Sequence, residues 1–376
     1  MLLNNKIYKT YYNWWKNINK TVLILIIVLF GLGLFFSLVS TSLIASDKLN
    51  TNSYYFFIKH LLFIIIGSFF IIFFSSIKNT DLVKFSKILF FIFLFLLFLV
   101  PFFGVEVKGS RRWMDLPFLP RFQPIELLKP FLIVMFASVL SYENGKNIYY
   151  KYLLSFFILT PVLLLLIVQP DFGQTLLTFL TWLSLIFVSG INLFIFFIFF
   201  ILLLFFLVSA VFIFPNKFGY IIVRLKSFFD PTSGNNYQSE KASEAIINGG
   251  FFGKGIGEGT LKNRVPEAHT DYIVSVISEE FGVLFIIILM IILLFFTYHI
   301  FKKLYLENDH KVKLILVGAV SLILLQSVIH IGVNIRLFPT TGMTLPFISY
   351  GGSSIISTSI LSGIILNLTK RKIDIK

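Results

Sequence analysis

Long uninterrupted runs of apolar residues make up most of the chain, and short polar segments separate them. The runs cover residues 22–44, 55–76, 86–103, 125–141, 152–168, 174–190, 193–214, 273–301, 314–335 and 349–367. Each is close to the length that a helix needs to cross a bilayer, and none alternates with the period of two expected of a barrel strand. The pattern predicts an all-α polytopic membrane protein with about ten transmembrane helices, forming a single domain over residues 1–376.

Two polar segments bear on the orientation of this protein in the membrane. Residues 1–21 form a lysine-containing tail, and residues 215–272 form a large loop between the seventh and eighth runs. Of the 32 basic residues, 17 lie in the tail and in alternate connections, as expected of cytoplasmic segments. We therefore expect both termini in the cytoplasm and the 215–272 loop on the extracytoplasmic side.

Composition narrows the class of protein. With 57% hydrophobic and 13% charged residues, the chain is too apolar for a soluble enzyme or a disordered protein. The absence of cysteine excludes a disulfide scaffold and thiol chemistry. The net charge of +14 is attributed to topology rather than to nucleic acid, which we do not expect as a partner.

Twelve of the remaining basic residues lie in the expected outer segments 102–130 and 215–272, against the topological bias. Either an anionic ligand at the outer surface or contact with lipid headgroups would explain them. In the first segment, Glu126 and Lys129 are three residues apart at the start of a predicted helix and can pair. With Arg121 and Gln123, Lys129 could hold a phosphate or sugar. An interfacial anchor with snorkelling cations explains residues 111–112 well but explains Lys129 less well, because Lys129 lies about a turn inside a span.

A second polar segment, 266–272, leads directly into the eighth apolar run. A helix continuing through it would align a row of polar side chains on one face: Glu267, Asp271, Ser275 and Glu279. This arrangement predicts a carboxylate at the mouth of a polar cleft and further acids, Glu279 and Glu280, within the membrane. In a purely structural interpretation, Thr270 or Asp271 is instead the N-cap of the helix.

The ninth run carries a polar stripe with a spacing of four residues, formed by Gln326, His330 and Asn334. Such a stripe faces the bundle interior or water, and hydrogen bonding between helices is the alternative explanation. Two further outer turns, 169–174 and 339–354, contain polar and glycine residues. The glycine-rich run 249–259 matches neither phosphate-binding pattern and is interpreted as a shaped loop near the site.

Four motifs resemble those of the SEDS family (shape, elongation, division and sporulation) of polytopic peptidoglycan glycosyltransferases, and occur in the family's order. They are Arg121-Phe-Gln-Pro-Ile-Glu126, Gln169-Pro-Asp-Phe-Gly173, Pro266-Glu-Ala-His-Thr-Asp271 and Pro346-Phe-Ile-Ser-Tyr-Gly-Gly-Ser-Ser354. Within the family, Pro339-Thr-Thr-Gly-Met-Thr-Leu-Pro346 is more similar to the cell-division branch than to the elongation branch. Two positions depart from the family pattern: Ile125 replaces a common serine, and Thr341 replaces a frequent lysine.

The resemblance implies polymerisation of lipid II at the outer face of the bacterial cytoplasmic membrane, with Asp271 as the catalytic carboxylate. It implies substrate or pyrophosphate contacts from Arg121, Gln123, Glu126, Lys129, Glu267 and His269. The expected cavity-lining residues are Glu279, Gln326, His330, Asn334, Ser349 and Tyr350. One base and several cations would suffice, because pyrophosphate leaves as a stable anion and needs no general acid.

The expected partners are lipid II, a class B penicillin-binding transpeptidase and other membrane proteins of the division machinery. A divalent cation, Mg²⁺ or Mn²⁺, is a candidate cofactor, and no organic cofactor is expected. Two other functions stay open at this point. A lipid II flippase would use the intramembrane polar residues as its path, and a division scaffold would need no catalysis.

Overall fold

The computed structural model describes residues 12–40, 54–107, 109–117, 119–142, 148–213, 219, 222–223, 228–229, 237–261 and 264–370. Half of the expected tail 1–21 and much of the first half of the 215–272 loop lie outside these ranges. Within them the chain is mostly helical. The helices, in chain order, are α1 (Lys20–Ser40), α2 (Tyr55–Ser76), α3 (Asn79–Phe103), α4 (Pro124–Leu140), α5 (Ile148–Val168), α6 (Phe172–Val188), α7 (Leu193–Ile213), α8 (Tyr237–Gly249), α9 (Ile273–Phe281), α10 (Val283–Tyr305), α11 (His310–Asn334) and α12 (Gly352–Leu368).

Apolar composition and length make this a multi-pass membrane protein. Among the described helices, six are long and apolar enough to span a bilayer: α1, α2, α3, α5, α10 and α11. Large apolar side chains on their outer faces are exposed, such as Ile65, Phe69 and Ile72 on α2. A soluble protein rarely exposes a continuous face of this kind, whereas lipid covers it without penalty.

The central helices bring several polar ends together. Helix α12 packs against α2 and α4, and α6 packs against α11. The backbone N–H of Gln123, just before α4, donates to Ser353 Oγ in the first turn of α12 at 2.9 Å. The starts of α4 and α12 therefore meet at one end of the bundle, and Gln123, Glu126 and Lys129 lie there.

A short β-hairpin follows α3, so the expectation of an all-α protein missed one element. Strand β1 (Val105–Val107) pairs antiparallel with β2 (Ser110–Trp113), with Glu106 opposite Arg111. A bridge between Met114 and Phe122 extends the pairing towards α4. Strands this short have too few alternating apolar and polar positions to be recognised in the sequence beside long apolar runs.

The expected eighth span, 273–301, is not one helix. It is divided at Gly282, which has φ 82° and ψ 170° and separates α9 from α10. This conformation favours glycine, and a Cβ at this position would lie 2.1 Å from the carbonyl oxygen of Phe251. The first N–H groups of α10, on Val283 and Leu284, instead donate to the carbonyls of Gly250 and Phe251 at 3.0 and 3.3 Å.

The segment before α9 is a series of turns, which corrects the prediction of one helical face through Glu267, Asp271, Ser275 and Glu279. Glu267 has φ 54°, and its carbonyl accepts from the N–H groups of Thr270 and Tyr272 at 3.1 and 3.2 Å. The N-cap of α9 is Tyr272 and makes no side-chain cap bond, so the capping role proposed for Thr270 or Asp271 is also wrong. The left-handed turn at Glu267 ends any helical register before α9 begins.

Candidate functional site

A buried ion pair lies at the start of α4. Lys129 Nζ is 2.9 Å from Glu126 Oε2, and the two side chains are only 3% and 6% exposed. The proline at position 124 opens the helix, as it suits a first turn whose N–H groups have no partner within the helix. The spacing of three residues then places both side chains on one face, as the sequence predicts.

The Lys129 ammonium is fully engaged by three acceptors. Besides Glu126, it donates to Gln174 Oε1 at 3.2 Å and to Gln326 Oε1 at 3.3 Å. Gln174 Nε2 donates in turn to Glu126 Oε1 at 2.6 Å. All three donors of a lysine are thus used inside the protein, so in this structure Lys129 stabilises the junction of α4, α6 and α11.

A second carboxylate, Asp171, caps the start of α6. Its Oδ1 accepts from the N–H of Gln174 at 3.3 Å, while its Oδ2 accepts from Gln123 Nε2 at 3.0 Å and lies 3.7 Å from Arg112 Nε. Burial raises the pKa of this carboxyl above its ordinary value, and the Arg112 guanidinium opposes the shift. Arg112 also donates to the carbonyls of Gln169 and Pro170, which fixes the outer hairpin to this turn.

The structure does not bring together the three side chains expected to hold a phosphate. Gln123 and Lys129 belong to the buried network, but Arg121 is about half exposed and pairs with Asp115 Oδ2 at 3.1 Å. Arg121 is therefore one of two exposed cations described in this segment, together with Arg111, which lies beside Glu106. Ile125, at the position where the resembled family commonly has serine, is buried in the apolar core.

The polar stripe of α11 faces the bundle interior, as predicted. Gln326, His330 and Asn334 are all buried. Gln326 Nε2 donates to the carbonyl of Thr344 at 2.8 Å, and His330 Nδ1 lies 2.7 Å from the carbonyl of Met343. Gln326 and His330 thereby hold the non-helical segment 341–344 against the bundle.

This segment connects the buried ion network with Asp271. A Cβ built on Gly173, at the start of α6, would lie 3.0 Å from Thr341 Cβ. A Cβ built on Gly342 would lie 3.6 Å from Asp271 Oδ2. Asp271 and the start of α6 therefore both lie close to the same four-residue segment.

Aromatic rings lie beside the turn that carries Asp271. The centroid of the His269 ring lies 4.2 Å from the centroid of the Phe56 ring and 5.8 Å from that of the Tyr350 ring. Burial raises the pKa of Tyr350 to about 12, and nearby Tyr55 adds to the shift, so its hydroxyl stays protonated at physiological pH. Within the same turn, the Thr270 hydroxyl donates a hydrogen bond to Glu267 Oε2 at 3.1 Å.

Glu279 and Glu280 hold the glycine-rich loop rather than lining a path through the membrane. Glu279 Oε1 accepts from Asn248 Nδ2 at 2.9 Å and from the N–H of Leu261 at 2.8 Å. Glu280 accepts from the N–H of Gly257. Both acids lie in α9, before the break at Gly282, and therefore outside α10, the helix of this run that is long and apolar enough to cross a bilayer.

Sequence reasoning missed three residues of the buried network: Arg112, Asp171 and Gln174. The turn 169–174 is recognisable from its polar residues, but the partners of its side chains lie on other helices. Arg112 is equally explained by an interfacial anchor when only the sequence is considered. Among the described residues, no three His, Cys, Asp or Glu side chains come together as a metal site.

Comparisons with known proteins cover nearly the whole chain. A family model described as "Cell cycle protein", for FtsW, RodA and SpoVE, matches residues 20–373. The "Probable peptidoglycan glycosyltransferase FtsW" of Caulobacter vibrioides is 31% identical over 366 residues, or 96% of this chain and 91% of that protein. The protein of the same name from Coxiella burnetii is 33% identical over 358 residues, or 92% of this chain and 95% of that protein.

Solved structures share the fold. One, described as "Structural coordination of polymerization and crosslinking by a peptidoglycan synthase complex", matches with a TM-score of 0.77 and 25% identity, over 94% of this chain and 97% of that chain. The rod shape determining protein RodA of Thermus thermophilus matches with a TM-score of 0.68 and 23% identity, over 94% and 96%. The second similarity concerns the fold alone.

Proposed function

The chain belongs to the FtsW, RodA and SpoVE family of membrane proteins, and from this premise we propose that it is a peptidoglycan glycosyltransferase of cell division. Its substrate is lipid II, a disaccharide-peptide linked to undecaprenyl pyrophosphate, which it polymerises into glycan strands at the outer face of the cytoplasmic membrane. The relatives named as glycosyltransferases, together with the site at one end of the bundle, support this proposal.

The observation that carries the mechanism is the position of Asp271. Its carboxylate lies beside Gly342, on a segment that also contacts the start of α6. Glu126 and Asp171, which form ion pairs with Lys129 and Arg112, and Glu267, which lies in the same turn as Asp271, are further carboxylates of this end. We assign Asp271 as the base because it ends the motif 266–271 that resembles the family's motif and because it lies beside the 341–344 segment.

In the proposed reaction, Asp271 accepts the proton of the acceptor sugar hydroxyl as that oxygen attacks the anomeric carbon of the donor. The new glycosidic C–O bond forms while the bond from the anomeric carbon to the pyrophosphate oxygen breaks. The electron pair leaves with the lipid-linked pyrophosphate, whose charge Arg121 neutralises from the outer surface. Direct attack inverts the anomeric centre and forms no covalent enzyme intermediate.

We propose that a divalent cation, Mg²⁺ or Mn²⁺, binds only together with the substrate. The described residues build no site with three protein ligands. Mg²⁺ commonly binds one or two carboxylates together with substrate phosphates, so Asp271 and the pyrophosphate would hold it. Its chemistry there would be to screen charge on the leaving group.

We further propose the topology and partners. The six long apolar helices together with α4, α6, α7 and α12 provide ten spans, with both termini in the cytoplasm. The lysine distribution supports this orientation. A class B penicillin-binding transpeptidase is the proposed partner, supported by the similarity to a structure of a peptidoglycan synthase complex, and other division proteins at the septum complete the assembly.

The deciding experiment supplies labelled lipid II to the purified protein, with and without its transpeptidase partner. We expect glycan polymer from the native protein and none from Asp271→Asn. Glu244→Gln, which removes an exposed carboxylate on α8, serves as the matched control and should polymerise normally. Unchanged polymerisation by Asp271→Asn would overturn the assignment of the base, and transfer of lipid II between vesicle leaflets without polymer would identify a flippase instead.

A further inference from the structure

Three neighbouring carbonyls in the turn that carries Asp271 are each held by a donor from another part of the chain. The carbonyl of His269 accepts from the N–H of Tyr350 at 3.0 Å. The carbonyl of Thr270 accepts from Ser349 Oγ at 2.8 Å. The carbonyl of Asp271 accepts from Asn334 Nδ2 at 3.0 Å. The backbone on both sides of the Asp271 side chain is thus fixed from outside.

The Asn334 side chain has a single orientation that satisfies all of its neighbours. Its Oδ1 accepts from the N–H of Ser275 at 3.2 Å and from Ser275 Oγ at 2.9 Å. Its Nδ2 donates to the carbonyls of Asp271 and His330 at 3.0 and 2.9 Å. Because an N–H only donates and a carbonyl only accepts, the amide cannot be reversed.

Helix α9 does not provide these contacts itself. In a regular helix the N–H of Ser275 would bond to the carbonyl of Asp271, four residues earlier. Here that N–H bonds to the Tyr272 carbonyl at 3.1 Å and to Asn334. The Asp271 carbonyl therefore depends on Asn334, at the last position of α11.

We propose that Asn334 and Ser349 are positioning residues that fix the Asp271 carboxylate at the reacting hydroxyl. The inference rests on the proposed function, since it assigns these residues a part in the reaction of Asp271. Both are buried, at 0% and 2% exposure, so they act on the Asp271 turn and not on the substrate. A displacement of a catalytic group by about 1 Å reduces a rate by about 100-fold.

The first test is Asn334→Asp, which keeps an oxygen for Ser275 and replaces the two donated hydrogen bonds with repulsion. We expect the kcat for lipid II polymerisation to fall about 100-fold with KM little changed, because no substrate contact is removed.

The chain offers a matched control at the opposite end of α12. Asn367 is equally buried, and its Nδ2 donates to the carbonyls of Phe74 and Ile77, both at 2.7 Å. Asn367→Asp makes the same chemical change far from Asp271. It should lower thermal stability as Asn334→Asp does, yet leave the kcat of the folded fraction unchanged. Equal kinetic effects from both variants would overturn the proposal.

Ser349 gives an independent test if Asn334→Asp does not fold. Ser349→Ala removes the donor to the Thr270 carbonyl with little change in volume, and we expect about a tenfold lower kcat at unchanged KM, because alignment and not binding is lost. Ser349→Thr keeps the hydroxyl and should recover most of that rate. Native kcat in Ser349→Ala contradicts the inference. If Asp271→Asn is inactive while the Asn334 and Ser349 variants have native rates, only the positioning role fails, and the proposed base stands.

Discussion

The buried pair of Glu126 and Lys129 should be a principal source of stability at the site end of the bundle. Lys129→Met removes the counter-ion of a carboxylate that is only 6% exposed, at a pair distance of 2.9 Å. Breaking a buried pair by removing one partner costs about 3 to 5 kcal/mol. Gln174 Oε1 and Gln326 Oε1 lose their donor as well, so the upper part of that range is expected.

Glu126→Gln should also be destabilising, because it leaves the buried Lys129 ammonium without a counter-ion and places an amide NH2 opposite a donor, either Lys129 Nζ or Gln174 Nε2. The double variant should be less destabilised than the sum of the single variants, by up to about 3 kcal/mol, because the two residues share one interaction. The free energy of unfolding, measured by denaturant titration in detergent and compared across the four proteins, gives this coupling. Polymerisation rates of the folded fraction should be measured in parallel.

Helix α8 provides a control with the same residue types and spacing. Lys241 and Glu244 form an exposed pair at 2.6 Å, and exposed pairs contribute about 0 to 1 kcal/mol. Lys241→Met should therefore have little effect on unfolding. If Lys129→Met proves no more destabilising than Lys241→Met, or if the two site variants are additive, the buried pair does not stabilise this end and the reasoning is refuted.

Other predictions follow from close backbone contacts and one buried acid. Gly33→Ala places a Cβ 2.3 Å from the carbonyl oxygen of Phe347, whereas Gly31→Ala has nothing within 4 Å; thermal unfolding should show a loss in the first and no loss in the second. Gly282→Ala should detach the glycine-rich loop, because its Cβ would collide with Phe251, and limited proteolysis should then cleave residues 249–259 faster. Burial raises the pKa of Asp171 above its ordinary value of 3.8. Ionising Asp171 therefore costs folding free energy, and this cost is absent below pH 3.8 and develops as the pH rises through the higher pKa of the folded state. The stability gained on acidification should be smaller in Asp171→Asn, as melting temperatures measured across pH would report.

Local spacing predicted those parts of the site that a single helix presents. Glu126 and Lys129 share a face because they are three residues apart, and the stripe of Gln326, His330 and Asn334 follows from a spacing of four. These relations depend only on helix geometry, which the apolar pattern indicates reliably for long runs. The partners of the stripe, on the 341–344 segment, could not be read in the same way.

The parts that sequence did not predict depend on contacts between distant segments. Gly282 lies within a long apolar run, and a single glycine is often tolerated inside a helix. The helix break at Gly282 arises because the backbone of Phe251 packs closely against it. The helical face expected from Glu267 to Glu279 failed because one residue, Glu267, adopts a left-handed conformation. Arg112 and Asp171 meet only because the hairpin folds onto the start of α6.

In the proposed orientation, the helix break at Gly282 also determines how far the proposed base, Asp271, lies from the bilayer. In the orientation proposed above, counting back from Lys302 by about 20 residues, the number that crosses the hydrocarbon core, reaches Gly282. Helix α9 has 9 residues, which span about 14 Å at about 1.5 Å per residue, and Tyr272 separates its first residue from Asp271. In that orientation the proposed base lies near the headgroup layer, where a pyrophosphate anchored by its lipid tail presents its first sugar, so the proposed reaction would elongate the growing strand at its membrane-attached end.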